Sequence, residues 1–279
     1  MIMLFRRVNK GNEKAGFPKF KSKHSNKFSY TTNFTNNNIE VDFSENRIKL
    51  PKLKWVEAKV HREFDGKIKS ATISQNPSGR YFVSILVDVE KKALPRVDKN
   101  IGFDLGISDF LIDSDGNKIP NPKNLSKYER KLAKLQRQLF KKQKGSNNRK
   151  KMRIKIARLH EKILDARKDF LHKLSSQIIN ENQVIVSEDL KVSGMIKNSK
   201  LAKSISDVSW SELARQLEYK ANWYSRTYIQ IDRFFPSSQL CSSCTAKNTE
   251  VKNLSIREWT CDNCGTHHDR DVNSSKNIL

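Results

Sequence analysis

The chain has 279 residues, 54 Lys and Arg against 30 Asp and Glu, a formal net charge of +24 and a pI near 9.9. Self-repulsion on that scale weakens a compact state and favours a polyanionic partner, nucleic acid before a membrane surface. No apolar run approaches the roughly 18 residues of a membrane span, and MIMLFRRV is too short for a signal-peptide core. With 36% hydrophobic residues, a core forms but part of the chain is expected to lie over a partner.

Residues 1–27 carry Arg6, Arg7, Lys10, Lys14, Lys19, Lys21, Lys23 and Lys27 with few apolar residues, and read as a basic arm. Residues 28–95 read as a β-rich domain. Ile39 to Phe43 alternates in polarity, Ser44-Glu45-Asn46 turns, and Ile48-Lys49-Leu50 follows. Ile68 to Ser74 and Tyr81 to Val89 form a hairpin across Asn76-Pro77-Ser78-Gly79. Tyr30, Phe34, Trp55 and Tyr81 sit among cations, where aromatic rings stack on bases, but for each the reading as a core residue is preferred.

A polar link, KKALPRVDKN, precedes a second region over 96–240. Ile101-Gly102-Phe103-Asp104-Leu105-Gly106 reads as a buried strand carrying one acid, and a carboxylate there is costly unless a cation neutralises it. Phe110 to Ile112 and Lys118-Ile119 flank a turn, which gives the strand, acid and hairpin with which a ribonuclease-H-like sheet begins. Residues 125–180 switch to helical period, with a capping box at Ser126 and Glu129 and a break at Gly145-Ser146. This helical hairpin holds 17 Lys and Arg against three acids between Lys127 and Lys168. A solvated helix surface mixes signs, so this one is read as a phosphate-binding face, with Lys141, Lys142, Arg149, Lys150, Lys151 and Arg153 as candidate contacts. Val184 to Ser187 is a buried strand ending on Glu188 and Asp189. Ser209 and Glu212 are expected to cap a helix, and Tyr228 to Arg233 alternates as a strand.

All four cysteines lie in the segment 241–268, as two C-x-x-C pairs separated by 16 residues: Cys241, Cys244, Cys261 and Cys264. Four thiolates on two tight turns suit the tetrahedral shell of a structural Zn²⁺, the alternative being buried or redox cysteines. Zinc-type spacing and the missing leader point to a reducing, cytoplasmic setting. Asp271, seven residues after Cys264, opens a short terminal segment, 269–279. Asp104, Glu188 and Asp271 are each ordinary alone, as a turn cap, a solvated strand end and a helix N-cap. Taken together, they fit a carboxylate cluster at the ends of neighbouring strands. Three carboxylates share a pocket only when cations screen them, and two Mg²⁺ about 4 Å apart also clamp the two oxygens of a phosphodiester displacement.

The segments FPKFKSKHSNKFSYTTN, GFDLGISDF, SEDLKVSGM, EYKANWYSR, DRFFPSSQLCSSC and REWTCDNCGTHHDRDVN, spread over nearly the whole chain, resemble the OrfB/TnpB proteins of bacterial insertion sequences, small relatives of the type V CRISPR effectors. The resemblance implies an α+β and α/β protein. It would comprise a partial β-barrel wedge domain, then a RuvC-like domain of ribonuclease-H fold with a helical-hairpin insertion and a zinc ribbon. It also implies a transposon-encoded, RNA-guided DNA endonuclease whose partners are target DNA and a guide RNA made from the transposon end. By motif, Asp104 comes from GFDLG, Glu188 from SEDL and Asp271 from the D-x-N of RDVN, with Asp269 the alternative third acid. Two departures stand out. The family begins with a further wedge strand and a helical recognition lobe, whereas this chain starts at what reads as the last turn of that lobe (LFRRVNKG) and stops inside the helix after Asp271. The first knuckle reads CSSCT where glycine is usual. A guide-dependent DNA binder without cleavage and a basic RNA-binding protein of the ribosomal kind are the competing classes.

Overall fold

A computed structural model of the protein describes residues 28–91 and 93–279; the basic arm expected over 1–27 lies outside the described residues. The chain divides into two compact units, one ending at Asp88 and the other comprising Val89–Leu279.

In the first unit, β1 (Phe28–Asn33), β5 (Lys67–Gln75) and β6 (Tyr81–Asp88) form one antiparallel sheet in the order β1-β5-β6. β2 (Glu40–Asp42), β3 (Arg47–Leu50) and β4 (Lys54–Glu57) form another in the order β2-β3-β4. Period-two alternation buries Ile48 and Leu50 of β3 against Ile39 and Ala71, with Val41, Ile68, Ile73, Val83 and Ile85 packed around them. The β5–β6 turn has Gly79 at φ +84°, a conformation that glycine adopts without a steric penalty. The aromatic expectation needs correction. Tyr30, Trp55 and Tyr81 are exposed, and of the four only Phe34 packs on the core. A core of four buried residues is too small to cover them all, and Trp55 instead lies under the Arg47 guanidinium, 5.1 Å from its ring centre.

The second unit is built on a five-stranded mixed sheet in the order β11-β10-β7-β8-β9. β7 (Asn100–Asp104), β8 (Asp109–Asp113) and β9 (Lys118–Pro120) run antiparallel, while β10 (Val184–Glu188) is parallel to β7 and to β11 (Thr227–Ile231). Between β9 and β10 stand α1 (Asn124–Phe140) and the 35-residue α2 (Asn147–Glu181). Then come α3 (Val192–Met195), α4 (Ala202–Val208) and α5 (Trp210–Tyr224), and the chain closes with β12 (Glu258–Thr260), β13 (His267–Asp269) and α6 (Arg270–Ile278). The second half of α2 and the inner face of α5 cover the sheet: Leu171, Ile179, Leu213 and Leu217 pack on Phe103, Phe110, Leu111 and Ile185, all at or near zero exposure. Each contributes about 1.5–3 kcal/mol of apolar burial. The segment joining the units is anchored within this one, since Leu94 N–H bonds Tyr224 O and Arg226 bonds Pro95 O, Ile179 O and Gln183 Oε1. Among the described residues no helix is long and apolar enough to cross a membrane.

Neither expected capping box forms. Helix α1 begins before Ser126, and its Leu125 N–H donates to the Asp207 carboxylate at 3.0 Å. Asp207 lies in α4 and is held by Arg167 at 2.8 Å, so the cap is tertiary. Ser209 sits at φ +57° with its hydroxyl on Ser206 O, and Glu212 instead takes Arg215 and Gln216. A side-chain cap does form at Ser146 on α2, which accepts from Arg149 N–H at 3.2 Å.

Candidate metal centres

The parallel pairing of β7 and β10 puts Phe103 opposite Ser187, so the next residues, Asp104 and Glu188, leave the carboxyl ends of neighbouring strands side by side. Helix α6 packs across β7 and β8 and brings Asp271 to the same edge from its first turn. That approach requires Gly102, where a Cβ would fall 2.5 Å from Leu279 N and 2.6 Å from Ser275 O. Burial first, then the Glu188 and Asp271 carboxylates, push the Asp104 carboxyl from 3.8 up to about 7.

Helix α6 also fixes the acids through small polar side chains. Ser275 Oγ accepts from Asp104 N–H at 3.3 Å and lies 2.7 Å from Ile112 O. Ser274 Oγ donates to Ser237 Oγ at 3.0 Å, and Ser237 donates to Glu188 Oε1 at 2.7 Å. Ser237, Ser274 and Ser275 are all buried. Sequence reading missed this relay. The only available signal was the run Asn273-Ser274-Ser275, small polar residues on a helix face that has to meet a sheet. The remaining contacts separate the two candidates for the third acid. Asp269 is the N-cap of α6, accepting from the N–H groups of Asp271 and Val272, and its other oxygen binds Lys118 at 2.6 Å. Partial burial works against its ionisation, but Lys118 and those amides outweigh it and hold the carboxyl low. Asp271 meets Arg257 only at 3.4 Å. The three carboxylates converge loosely: among the described residues only the four cysteines gather their ligand atoms within 4.8 Å of one another.

Those cysteines make the tighter cluster. Cys241 and Cys264 Sγ are 3.6 Å apart, as are Cys244 and Cys261 Sγ. A tetrahedral ion with Zn–S near 2.3 Å requires edges of about 3.8 Å, so the sulfurs fit one, whereas a disulfide requires about 2.05 Å. Hydrogen bonds from the Thr266 hydroxyl and backbone hold the Cys264 thiol down at about 6. At Cys261 the amides of Cys264 and Asn263 favour thiolate, yet burial and the adjoining sulfurs prevail and push it up to about 11. A cation is what lets all four ionise together. His268, packed at a 41° tilt against Trp259 with ring centres 4.9 Å apart, places Nε2 3.1 Å from Cys241 Sγ. Asn273 joins this knuckle to α6 by accepting from Ser242 N–H and donating to Leu240 O. The first turn places Thr245 at φ +61°, and the second has Gly265 at φ +69°.

Of the six basic candidates, Lys141, Lys142, Lys150, Lys151 and Arg153 are exposed around the hairpin tip. Arg149 is partly buried and committed elsewhere, donating to Leu139 O at 2.8 Å and Lys142 O at 2.9 Å. It fastens the end of α1 to the start of α2.

A mixed sheet with acids at adjacent strand ends and a four-sulfur knuckle beside them defines a two-unit α/β protein with two candidate metal centres. The OrfB_IS605 family, described as "Probable transposase", matches residues 84–199, and the "Cas12f1-like, TNB domain" family matches residues 210–278. A "Putative RNA-guided DNA endonuclease" of Streptomyces pristinaespiralis is 49% identical over 75% of this chain and 52% of its own length. The "Putative RNA-guided DNA endonuclease InsQ" of Escherichia coli (strain K12) is 35% identical over 96% of this chain and 69% of its own length. The chain belongs to the OrfB/TnpB family. It spans about half the length of the Streptomyces relative. In fold it is similar to the protein in the "Cryo-EM structure of the Cas12f1-sgRNA-target DNA complex", with a TM-score of 0.58 at 14% identity, covering 100% of this chain and 68% of that one.

Proposed function

We propose that this chain carries the nuclease centre of a transposon-encoded, RNA-guided DNA endonuclease, with the second unit folded as a RuvC-like domain. The observation that supports the reading is the gathering of Asp104, Glu188 and Asp271 at one sheet edge, where burial first and the other two carboxylates second push Asp104 up to about 7. Such a cost at one carboxyl is expected where divalent cations are meant to be held. The all-oxygen donor set suits Mg²⁺, and the cysteine cluster suits structural Zn²⁺. Asp104, Glu188 and Asp271 would hold the Mg²⁺, which would supply charge stabilisation for hydrolysis of a phosphodiester.

The chain's own residues then have separate tasks. Asp104, buried beside the other two acids, would be a ligand for a divalent cation. Glu188 is oriented by Ser237 so that one carboxyl oxygen stays available. Asp271 is delivered by α6, whose N-terminus is capped by Asp269. The zinc knuckle, tied to α6 through Asn273, holds that helix in place. The exposed lysines at the hairpin tip and Arg153 would bind phosphates of the guide or target.

The test is Mg²⁺-dependent cleavage of target DNA by the protein loaded with its transposon-end RNA. Wild type should cut, and Asp104→Asn should lose cleavage while still binding RNA. Equal cutting by the variant refutes the assignment. Wild type that binds guide and target but never cuts is instead the DNA binder.

A further inference from the structure

We infer that the loop from Asp232 to Gln239 is a stacking platform for the bases of a single nucleic-acid strand at the mouth of the carboxylate cluster. It deepens the nuclease reading, from which it takes the identity of the strand as DNA. Phe234 is 86% exposed and Phe235 is 38% exposed. The Phe234 ring, left almost wholly in water beside the partly covered Phe235, is unexplained by packing, and the loop that carries it is tied down on either side. Before them, Arg233 is bound to the Asp189 carboxylate, with its Nε 3.3 Å from Asp189 O. After them, Ser237 is bound to Glu188. The two phenylalanines are therefore held on either side to Glu188, the last residue of β10, and to Asp189, which follows it. Inside it, Phe234 N–H donates to Asp232 Oδ1 at 2.8 Å, Phe235 N–H to Asp232 O at 3.1 Å and Ser237 N–H to Phe235 O at 2.8 Å.

This arrangement selects its occupant by chemistry. The loop's one cation, Arg233, is committed to Asp189, so the loop presents ring faces to a base and no free charge to a phosphate. Stacking on aromatic faces is sequence-tolerant and needs an unpaired base, because a duplex covers its bases on both sides. A pre-ordered loop loses little further freedom on binding. Phe234 lies three residues from Ser237, so their Cα atoms are at most about 11 Å apart. A base on Phe234 therefore leaves a nearby phosphate within reach of Glu188 and its neighbours. The platform would hand one strand at a time to the acids.

The test uses the full chain in magnesium-free buffer with a 15-nucleotide oligothymidylate and, separately, a duplex of about that length. Phe234→Ala should weaken single-strand binding roughly 5- to 100-fold, leave duplex binding within about two-fold and leave the salt dependence unchanged. Phe234→Trp should retain affinity, and its added emission should be quenched by the single strand. Both variants alter an exposed side chain, and an unchanged melting temperature confirms folding. Single-strand affinity of Phe234→Ala within about two-fold of wild type, or an equal loss on duplex, overturns the platform. The two readings fail separately. Phe234-dependent stacking alongside undiminished cutting by Asp104→Asn removes only the nuclease assignment, while loss of cutting by Asp104→Asn without Phe234 dependence removes only the platform.

Discussion

Replacing Asp104 by Asn should stabilise the metal-free protein above neutral pH. The folded-state carboxyl titrates at about 7 against an ordinary 3.8, so over that interval the folded state binds more protons than the unfolded chain. Stability therefore falls as pH rises from about 4 to about 7, and the full penalty applies above that window. The rise from 3.8 to about 7 corresponds to roughly 4 kcal/mol. Asn removes the charge at almost unchanged size, and its side-chain oxygen can still accept from Leu105 N–H, a bond of 2.8 Å in the wild type. At pH 8, in chelator-free buffer without divalent ions, Asp104→Asn should melt about 10 °C higher than wild type. At pH 4 the two should melt together. Added Mg²⁺ should raise the wild type and leave the variant nearly unmoved, since cations relieve only the charged cluster. Equal melting at pH 8, or a gain that persists at pH 4, refutes the claim that burial and two neighbouring acids crowd this carboxyl.

Gly102→Ala should destabilise the protein by about 3 kcal/mol and weaken divalent binding with it, because its Cβ would meet the backbone of α6; calorimetry of both folding and Mn²⁺ binding reads the pair. Ser237→Ala should cost about 1–2 kcal/mol in chemical denaturation and lower divalent affinity through a reoriented Glu188. Thr245→Gly should stabilise the sulfur knuckle by about 1 kcal/mol, seen as slower metal loss to a chelator, because φ +61° strains a residue with a Cβ. Lys150→Glu with Lys151→Glu should lower the slope of log affinity for RNA against log salt by about 0.7–0.9 for each phosphate no longer neutralised, whereas Arg149→Glu should loosen the hairpin and lower the melting temperature.

Features whose physics is local were legible in the sequence. The C-x-x-C pairs announced themselves because two thiolates on one tight turn already share a direction, and the strands around Phe103 and Ile185 showed as short apolar runs. The helical hairpin showed as period, break and period. The three acids were picked out by motif rather than by spacing, since 84 and 83 residues separate them. What failed or was invisible depended on partners far along the chain. Ser126 looked like a cap, but the helix starts two residues earlier and its Leu125 N–H is taken by Asp207, 82 residues farther along. Arg149 looked like a phosphate ligand until the close of the hairpin put two carbonyls within its reach. Tyr30 and Tyr81 looked like core, but the small unit around Ile39 has no room for them.

Residue order alone was enough for a charged, sulfur-stapled α/β chain with strands and a basic hairpin, because turns, periodicity and net charge act between near neighbours. The close packing of α6 over Gly102, the Ser274–Ser237–Glu188 relay and the raised Asp104 carboxyl exist only once the sheet is assembled. Hydrogen bonds and Coulomb forces of this kind act over a few ångströms of space, whatever the number of residues between the partners.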